Sequence, residues 1–567
     1  MSRNAGSGLR LLPLPCGLMS PATASDFSLP VARANAGPKR REWAVIVGLT
    51  LLCLLLPTQN STADAWYYAA CVRHGHELLL PHHLLYNVVG WLWMKVLPAS
   101  IDTLAALKAL NALAYGGVLL VLRSLLRRVG SKAAPVAAWL LLVGSSFGML
   151  RFATENETYI LPLLCSLLAS RSAGRAATGE TGRRGWLWAG AWAAGAALLH
   201  QVHAFWGLGL GLGILLFRFG VNSETDSLGG RWRAAGLFAL PTLLLVPLAY
   251  AAALPGWQLP LTLSNWWHFA FRDLYAGQTG AVPSGATLLL AGISLVRTFG
   301  QVHGTTLALL RQPALAGVGL LCLGAGVWAL LELWQARQRP RPAAVLTTPA
   351  TPAAPAAPVA AAEDGRWFGR THWLVLALQL ACAVWAAGNA EFMVMVPALL
   401  ALLLVRHRWP ARPLYLAGAA LLGWNLSFGL LPAHRLRLTP DIAPLLTRIQ
   451  REPGTYWLLT NPNLALNQLH YHTGQAVGPA TIWPAPAQLA RRRAWSVGRF
   501  RSWLAVRRAA GQRVYTDALG GARLLDRAEL TQGGADAPPQ ALLAGYELVR
   551  VDSLFTSFGV VYLTEIR

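Results

Sequence analysis

The sequence predicts a mainly α fold, a polytopic bundle of membrane helices followed by a small soluble α/β domain. Three observations carry this. Hydrophobic residues make up 54% of the 567 positions and charged residues only 13%, a balance that belongs to multi-spanning membrane proteins. Long apolar runs recur along the chain, and a bilayer forces their backbone polar groups to pair within the segment, which leaves helices. From about residue 433 those runs stop and short strand-like alternations take over.

The first apolar run, residues 43–57 (WAVIVGLTLLCLLLP), follows a basic stretch at 33–41, which places the N-terminal tail 1–42 in the cytoplasm. Residues 1–40 lack the pattern of a cleavable signal, so the run reads as a retained anchor. Spans are expected at 43–58, 103–122, 134–150, 157–170, 185–199, 203–219, 235–254, 306–333, 372–388, 391–405 and 412–431. Basic loops at 123–132, 171–184, 218–233, 337–370 and 406–412 then share one side, which supports about eleven crossings and a C-terminus opposite the N-terminus.

Two further apolar stretches read as interfacial. Residues 84–97 are short and carry paired tryptophans with Lys95, and residues 285–304 contain Arg297 and His303. Residues 340–362 are a Pro/Ala linker, too proline-rich for a helix. The membrane domain therefore runs over 43–432, with an outer loop at 58–102, an outer aromatic loop at 255–305 and a cytoplasmic linker at 335–371. The remaining residues, 433–567, form an extracytoplasmic α/β domain with strands at 456–460, 513–517, 546–551 and 559–566 and helices at 442–451 and 501–510.

The 48 Lys and Arg against 24 Asp and Glu reflect basic cytoplasmic loops beside anionic lipid, and no nucleic-acid motif accompanies them. The six cysteines have neither zinc spacing nor a disulfide framework, and no cofactor or metal is expected.

The candidate site gathers at the outer ends of the spans. Asp64 follows the first span directly and precedes Trp66, Tyr67 and Tyr68. A carboxylate there suits a general base, against the plainer reading of a solvated acid or helix cap. His82 and His83 (PHHLLYN) could contact phosphate or sugar hydroxyls, or lie in a wet loop. Glu155, Glu157 and Tyr159 (RFATENETY) stand where a span begins, with Arg151 available to pair with Glu155 at i,i+4. His200 and His203 (HQVHAFW) break an apolar stretch, Arg272 offers a phosphate clamp within LSNWWHFAFRDLYAG, and Glu391 (NAEF) adds another outer acid.

In this order the pieces resemble the GT-C superfamily of membrane glycosyltransferases, and within it the bacterial branch related to protein O-mannosyltransferases. The resemblance rests on Asp64, the 81–86 turn with the 84–97 helix, the KALN segment at 108–111, Glu157 with Tyr159, and the tryptophan-rich segment 266–275. The branch usually follows its Asp with a second polar position and a Pro-Pro-Gly turn, where this chain has AWYY and PHH. The resemblance implies a GT-C-type bundle with Asp64 as general base and a polyprenyl-phosphate sugar as donor. The acceptor would be a protein, lipid or glycan, the reaction needs no metal, and the enzyme sits multi-pass in the inner (plasma) membrane of the cell envelope. The alternatives are a transporter or flippase of a lipid-linked glycan, for which no inverted repeat is visible, and a catalytically inactive scaffold on the same fold.

Overall fold

The computed structural model describes residues 36–130, 135–219, 227–272, 284–302, 304–338, 358–386, 389–407, 409–475, 478–486, 488–489, 496–519 and 542–567. The N-terminal tail to residue 35, Asp273 and Tyr275 of the aromatic segment, His303, and the Pro/Ala linker from 340 to 357 lie outside them.

The first helix, α1 (Ala36–Leu55), is followed by two short ones in the first long loop, α2 (Ala63–His74) and α3 (Tyr86–Val96). Then come α4 (Thr103–Val129), α5 (Val136–Gly144), α6 (Phe147–Ala153), α7 (Ile160–Ala177), α8 (Gly182–Leu199) and α9 (Ala204–Leu216). The bundle continues with α10 (Leu228–Ala253), α11 (Leu263–Ala270), α12 (Gly285–Phe299), α13 (Gly304–Leu309), α14 (Pro313–Gln338), α15 (Pro358–Trp385), α16 (Val396–Leu404), α17 (Ala411–Asn425) and α18 (Leu431–Arg435).

Among the described residues four helical stretches are long and apolar enough to cross a membrane: Thr103–Val129, Leu228–Trp257, Pro313–Gln338 and Ala411–Arg435. A fifth exists if the α5–α6 pair, bent by 67°, counts as one span. The hydropathy count of about eleven exceeds this because the other runs fold as shorter or charged helices. Helix α9 has 13 residues, α16 has 9, and α1 carries Lys39, Arg40, Arg41 and Glu42 in its first half. On α10 and α14 the apolar side chains point outward, with Leu243 68% and Leu321 73% exposed. Such a surface is stable against acyl chains, not water, and marks a membrane protein.

Small residues let the helices close. A Cβ on Gly190 of α8 would stand 2.0 Å from the Phe238 carbonyl of α10, and one on Gly213 of α9 would meet Thr371 of α15 at 2.4 Å. The break between α5 and α6 frees backbone carbonyls, and Asn425 satisfies one of them: its amide donates to Ser145 O at 2.8 Å, and also to Phe299 O at the end of α12 at 2.7 Å. Helix α15 begins at Pro358, so the last part of the supposed linker is helical, with proline in the first turn, where its missing N–H costs nothing.

The C-terminal residues build helices α19 (Ala443–Arg451), α20 (Pro462–Thr473) and α21 (Val497–Ala509) around strands β1 (Tyr456–Leu459), β2 (Ile482–Pro484), β3 (Val514–Thr516), β4 (Leu548–Thr556) and β5 (Gly559–Ile566). The sheet order is β2-β1-β3-β5-β4, with β1 parallel to β2 and β3, and β5 antiparallel to β3 and β4. Its core packs Trp457, Leu459, Leu469, Tyr515 and Leu563, and Ala63 and Trp66 of α2 pack against that same core.

Candidate active site

Asp64 lies in the first turn of α2, a helix where the sequence suggested a loop. Thr62 caps it: its Oγ1 accepts from Ala65 N at 3.0 Å and donates to Glu157 Oε1 at 2.6 Å. Gly75 closes the other end with φ 70°, a left-handed cap that its missing Cβ makes cheap. Buried Ala65, Ala69, Ala70 and Val72 bring α2 against Leu104 and Leu107 of α4.

Behind that turn runs a buried polar network. Residues 154–159 join α6 to α7, so Glu155 and Glu157 sit outside the helix that the sequence began at 157. Asn111 of α4 donates to the carbonyls of Glu155 and Glu157, each at 2.7 Å, and to Tyr86 Oη at 3.2 Å. Tyr86 donates to Asn156 Oδ1 at 2.8 Å, and Asn156 donates to Ala65 O at 2.7 Å. The i,i+4 pair of Arg151 with Glu155 does not form, because α6 ends at Ala153. Glu155 instead lies 3.8 Å from Lys108, and Arg151 lies 3.7 Å from Glu391.

Glu391 also accepts from Tyr159 Oη at 2.9 Å. Asp64 remains solvent-accessible within this group of acids. Partial desolvation raises its pKa above the ordinary 3.8, the Glu391 carboxylate raises it further, and His82 pulls it back. Glu157, only 5% exposed, is raised well above the usual carboxylate range by burial, then by Glu391 and Asp64, while the Thr62 hydroxyl works the other way. Burial likewise raises Glu155, opposed chiefly by Lys108.

The imidazoles meet edge-on in a second group. Ring centroids of His82 and His83 are 4.2 Å apart, and those of His83 and His200 4.3 Å. Tyr159 lies 5.0 Å from His200 and so ties the histidines to the acids. Burial, then the neighbouring imidazoles, holds His83 and His200 well below the ordinary histidine range, so both are neutral near pH 7. His203 is fully buried one step further in, at hydrogen-bond distance (2.8 Å) from Ser166 Oγ. Gln201 fastens the histidine turn, donating to Pro81 O at 3.2 Å, Tyr250 Oη at 2.7 Å and Ala270 O at 2.7 Å. Arg272 is exposed and lies over the Trp257 ring at 5.1 Å, while Trp257 Nε1 donates to Leu79 O at 2.8 Å.

The structure thus brings Asp64, Glu157, Tyr159, Glu391 and His82 into one electrostatic neighbourhood, with His83 and His200 adjoining. It places Glu155 and His203 behind them and Arg272 on the 254–272 segment. Sequence reasoning missed Thr62, Asn111 and Asn156 as the residues that hold the acids. A threonine three positions before Ala65 and an asparagine between two glutamates were the available signals. Among the described residues no group of three or more His, Cys, Asp or Glu is arranged to hold a metal ion.

No protein-family model matches the chain, and no curated protein matches it. Among solved structures, ArnT from Cupriavidus metallidurans bound to undecaprenyl phosphate aligns at 14% identity over 94% of this chain and 98% of its own, with a TM-score of 0.39. The apo oligosaccharyltransferase of Archaeoglobus fulgidus aligns at 12% identity over 84% of this chain and 69% of its own, also with a TM-score of 0.39. At these scores the likeness carries no argument, and the functional reading rests on the site itself.

Proposed function

We propose that the protein is a membrane glycosyltransferase that moves a sugar from a polyprenyl-phosphate carrier to an acceptor hydroxyl on the extracytoplasmic face. The observation that supports this best is Asp64, an accessible carboxylate on a capped helix turn, made more basic by partial burial and then by a second carboxylate, Glu391. A general base works best when its pKa approaches the ambient pH, and burial with a neighbouring acid moves Asp64 in that direction. In the reaction the acceptor oxygen bonds to the anomeric carbon as the bond from that carbon to the phosphate oxygen breaks. The electron pair leaves with the phosphate, the hydroxyl proton passes to Asp64, and the anomeric configuration inverts. His82 and Arg272 are the groups proposed to meet the phosphate, and His83, Tyr159, His200 and Glu391 to line the sugar. Glu155, Glu157 and His203 hold the frame around them.

The test is transfer from a panel of radiolabelled polyprenyl-phosphate sugars by purified wild type and Asp64→Asn. Loss of transfer in a variant that stays folded is the expected result. Transfer that survives moves the base to Glu391, and no transfer by wild type from any donor overturns the reading.

A further inference from the structure

Helix α2 is held from two sides. From the membrane bundle, Asn156 donates to Ala65 O at 2.7 Å. From the C-terminal region, Asn467 of α20 donates to Ala63 O at 2.8 Å. These carbonyls flank Asp64, so the turn that carries it is fixed by one amide from each part of the chain. The same helix α20 sends Tyr471, 2% exposed, into the apolar cluster of Ala65, Ala69, Leu104 and Leu107. There the Tyr471 hydroxyl donates to Asp102 Oδ2 at 2.5 Å, Arg73 of α2 lies 4.6 Å over its ring, and Trp66 meets it edge-on at 5.1 Å. Asn60, just before α2, donates to Ala433 O and Leu436 O, each at 2.8 Å, and accepts from Leu438 N at 2.7 Å and Thr439 N at 3.2 Å.

We infer that the C-terminal α/β region is a working part of the active site, and that Asn467 is a positioning residue that sets Asp64 through the Ala63 carbonyl. The inference rests on Asp64 acting as the base. Asp64 shares its electrostatic neighbourhood with Glu391, Glu157, His82 and Tyr68, so a small rotation of the first turn changes its balance among them. Misplacement of a reacting group by about 1 Å costs up to roughly a hundredfold in rate. For the loss of one of two amide anchors we expect a fall in kcat of about tenfold.

The experiment compares wild type, Asn467→Ala and Asn467→Gln in lipid nanodiscs, by transfer kinetics across pH and by hydrogen exchange of the α2 amides. Asn467→Ala should lower kcat with KM for the donor unchanged. It should also shift the acid limb of the kcat profile to lower pH, because a carboxylate freed towards solvent loses the desolvation that raises its pKa. Exchange should quicken over residues 64–67, and Asn467→Gln, which keeps the donor amide, should restore part of the rate. A normal rate, profile and exchange in Asn467→Ala overturns the inference while leaving the transferase reading intact. Faster α2 exchange in a protein whose wild type transfers nothing keeps the mechanical coupling, but removes both the transferase reading and the catalytic role of Asn467. A uniform loss of rate with an unmoved pH limb, unrelieved by Asn467→Gln, reduces Asn467 to general stability and also overturns it.

Discussion

Replacing Thr62 by valine keeps the shape of the side chain and removes one hydroxyl that makes two bonds. As an acceptor it caps α2 through Ala65 N at 3.0 Å, and losing such a cap costs about 1 kcal/mol. As a donor it reaches Glu157 Oε1 at 2.6 Å, and a hydrogen bond to a carboxylate contributes about 1.5–3 kcal/mol. Glu157 is buried and has Asp64 and Glu391 as charged neighbours, so little else nearby can receive its charge. The sum predicts a loss of about 3 kcal/mol when Glu157 is ionised. Without the hydroxyl, the Glu157 pKa rises further, since that bond is one of the influences lowering it. The cost should therefore shrink towards the cap alone, about 1 kcal/mol, as pH falls and Glu157 takes up its proton. Equilibrium unfolding in mixed micelles at two pH values, followed by tryptophan fluorescence, measures both numbers. Thr62→Ser keeps the hydroxyl and should stay within about 1 kcal/mol of wild type. A valine variant as stable as wild type, or a serine variant as unstable as valine, would refute the double role.

Glu157→Gln should change the pH dependence of stability. The folded pKa of Glu157 is raised, so its native-state proton stabilises fully below the ordinary value of 4.5 and that contribution is lost as pH rises through the folded value; in Glu157→Gln the decline over that window should flatten, which an unfolding series from pH 4 upward would show. Asn111→Ala leaves the carbonyls of Glu155 and Glu157 without their 2.7 Å donor, and at about 1–3 kcal/mol for each orphaned buried group it should destabilise by roughly 2–6 kcal/mol in the same unfolding assay. Asn111→Asp should be no better, because it offers those carbonyls an acceptor instead of a donor.

The acids were visible in the sequence because an ionisable residue at the end of an apolar run has few structural excuses. Asp64, Glu157 and Glu391 all stand at such ends, and the structure puts them in one electrostatic neighbourhood. What the sequence hid is how they are held. The stretch after Asp64 looks like an aromatic belt, yet it is a helix whose alanines pack on α4 while Trp66 turns to α20. Periodicity within a dozen residues cannot report a partner such as Tyr471, some four hundred positions away, which decides which face of α2 is covered. The same limit hid β2, three residues ending in Pro484, whose strand character comes only from pairing with β1. The α/β class of the C-terminal region was legible from its longer strands. Helix α20, the element that meets the site, was not, because its apolar residues serve two different cores.

The balance of charge narrows what this site can do. Among the described residues, Lys108 lies beside Glu155, Arg151 and Arg297 lie near Glu391, and Glu391 raises the pKa of both Asp64 and Glu157. Carboxylates repel a phosphate, so in the proposed reaction an anionic carrier does not seat its charge against Asp64 but against a cation or imidazole, for which His82 and Arg272 are the groups proposed, leaving Asp64 for a neutral hydroxyl. In that proposal the two charges divide the work of one displacement, with the acceptor entering over Asp64 and the phosphate departing away from it.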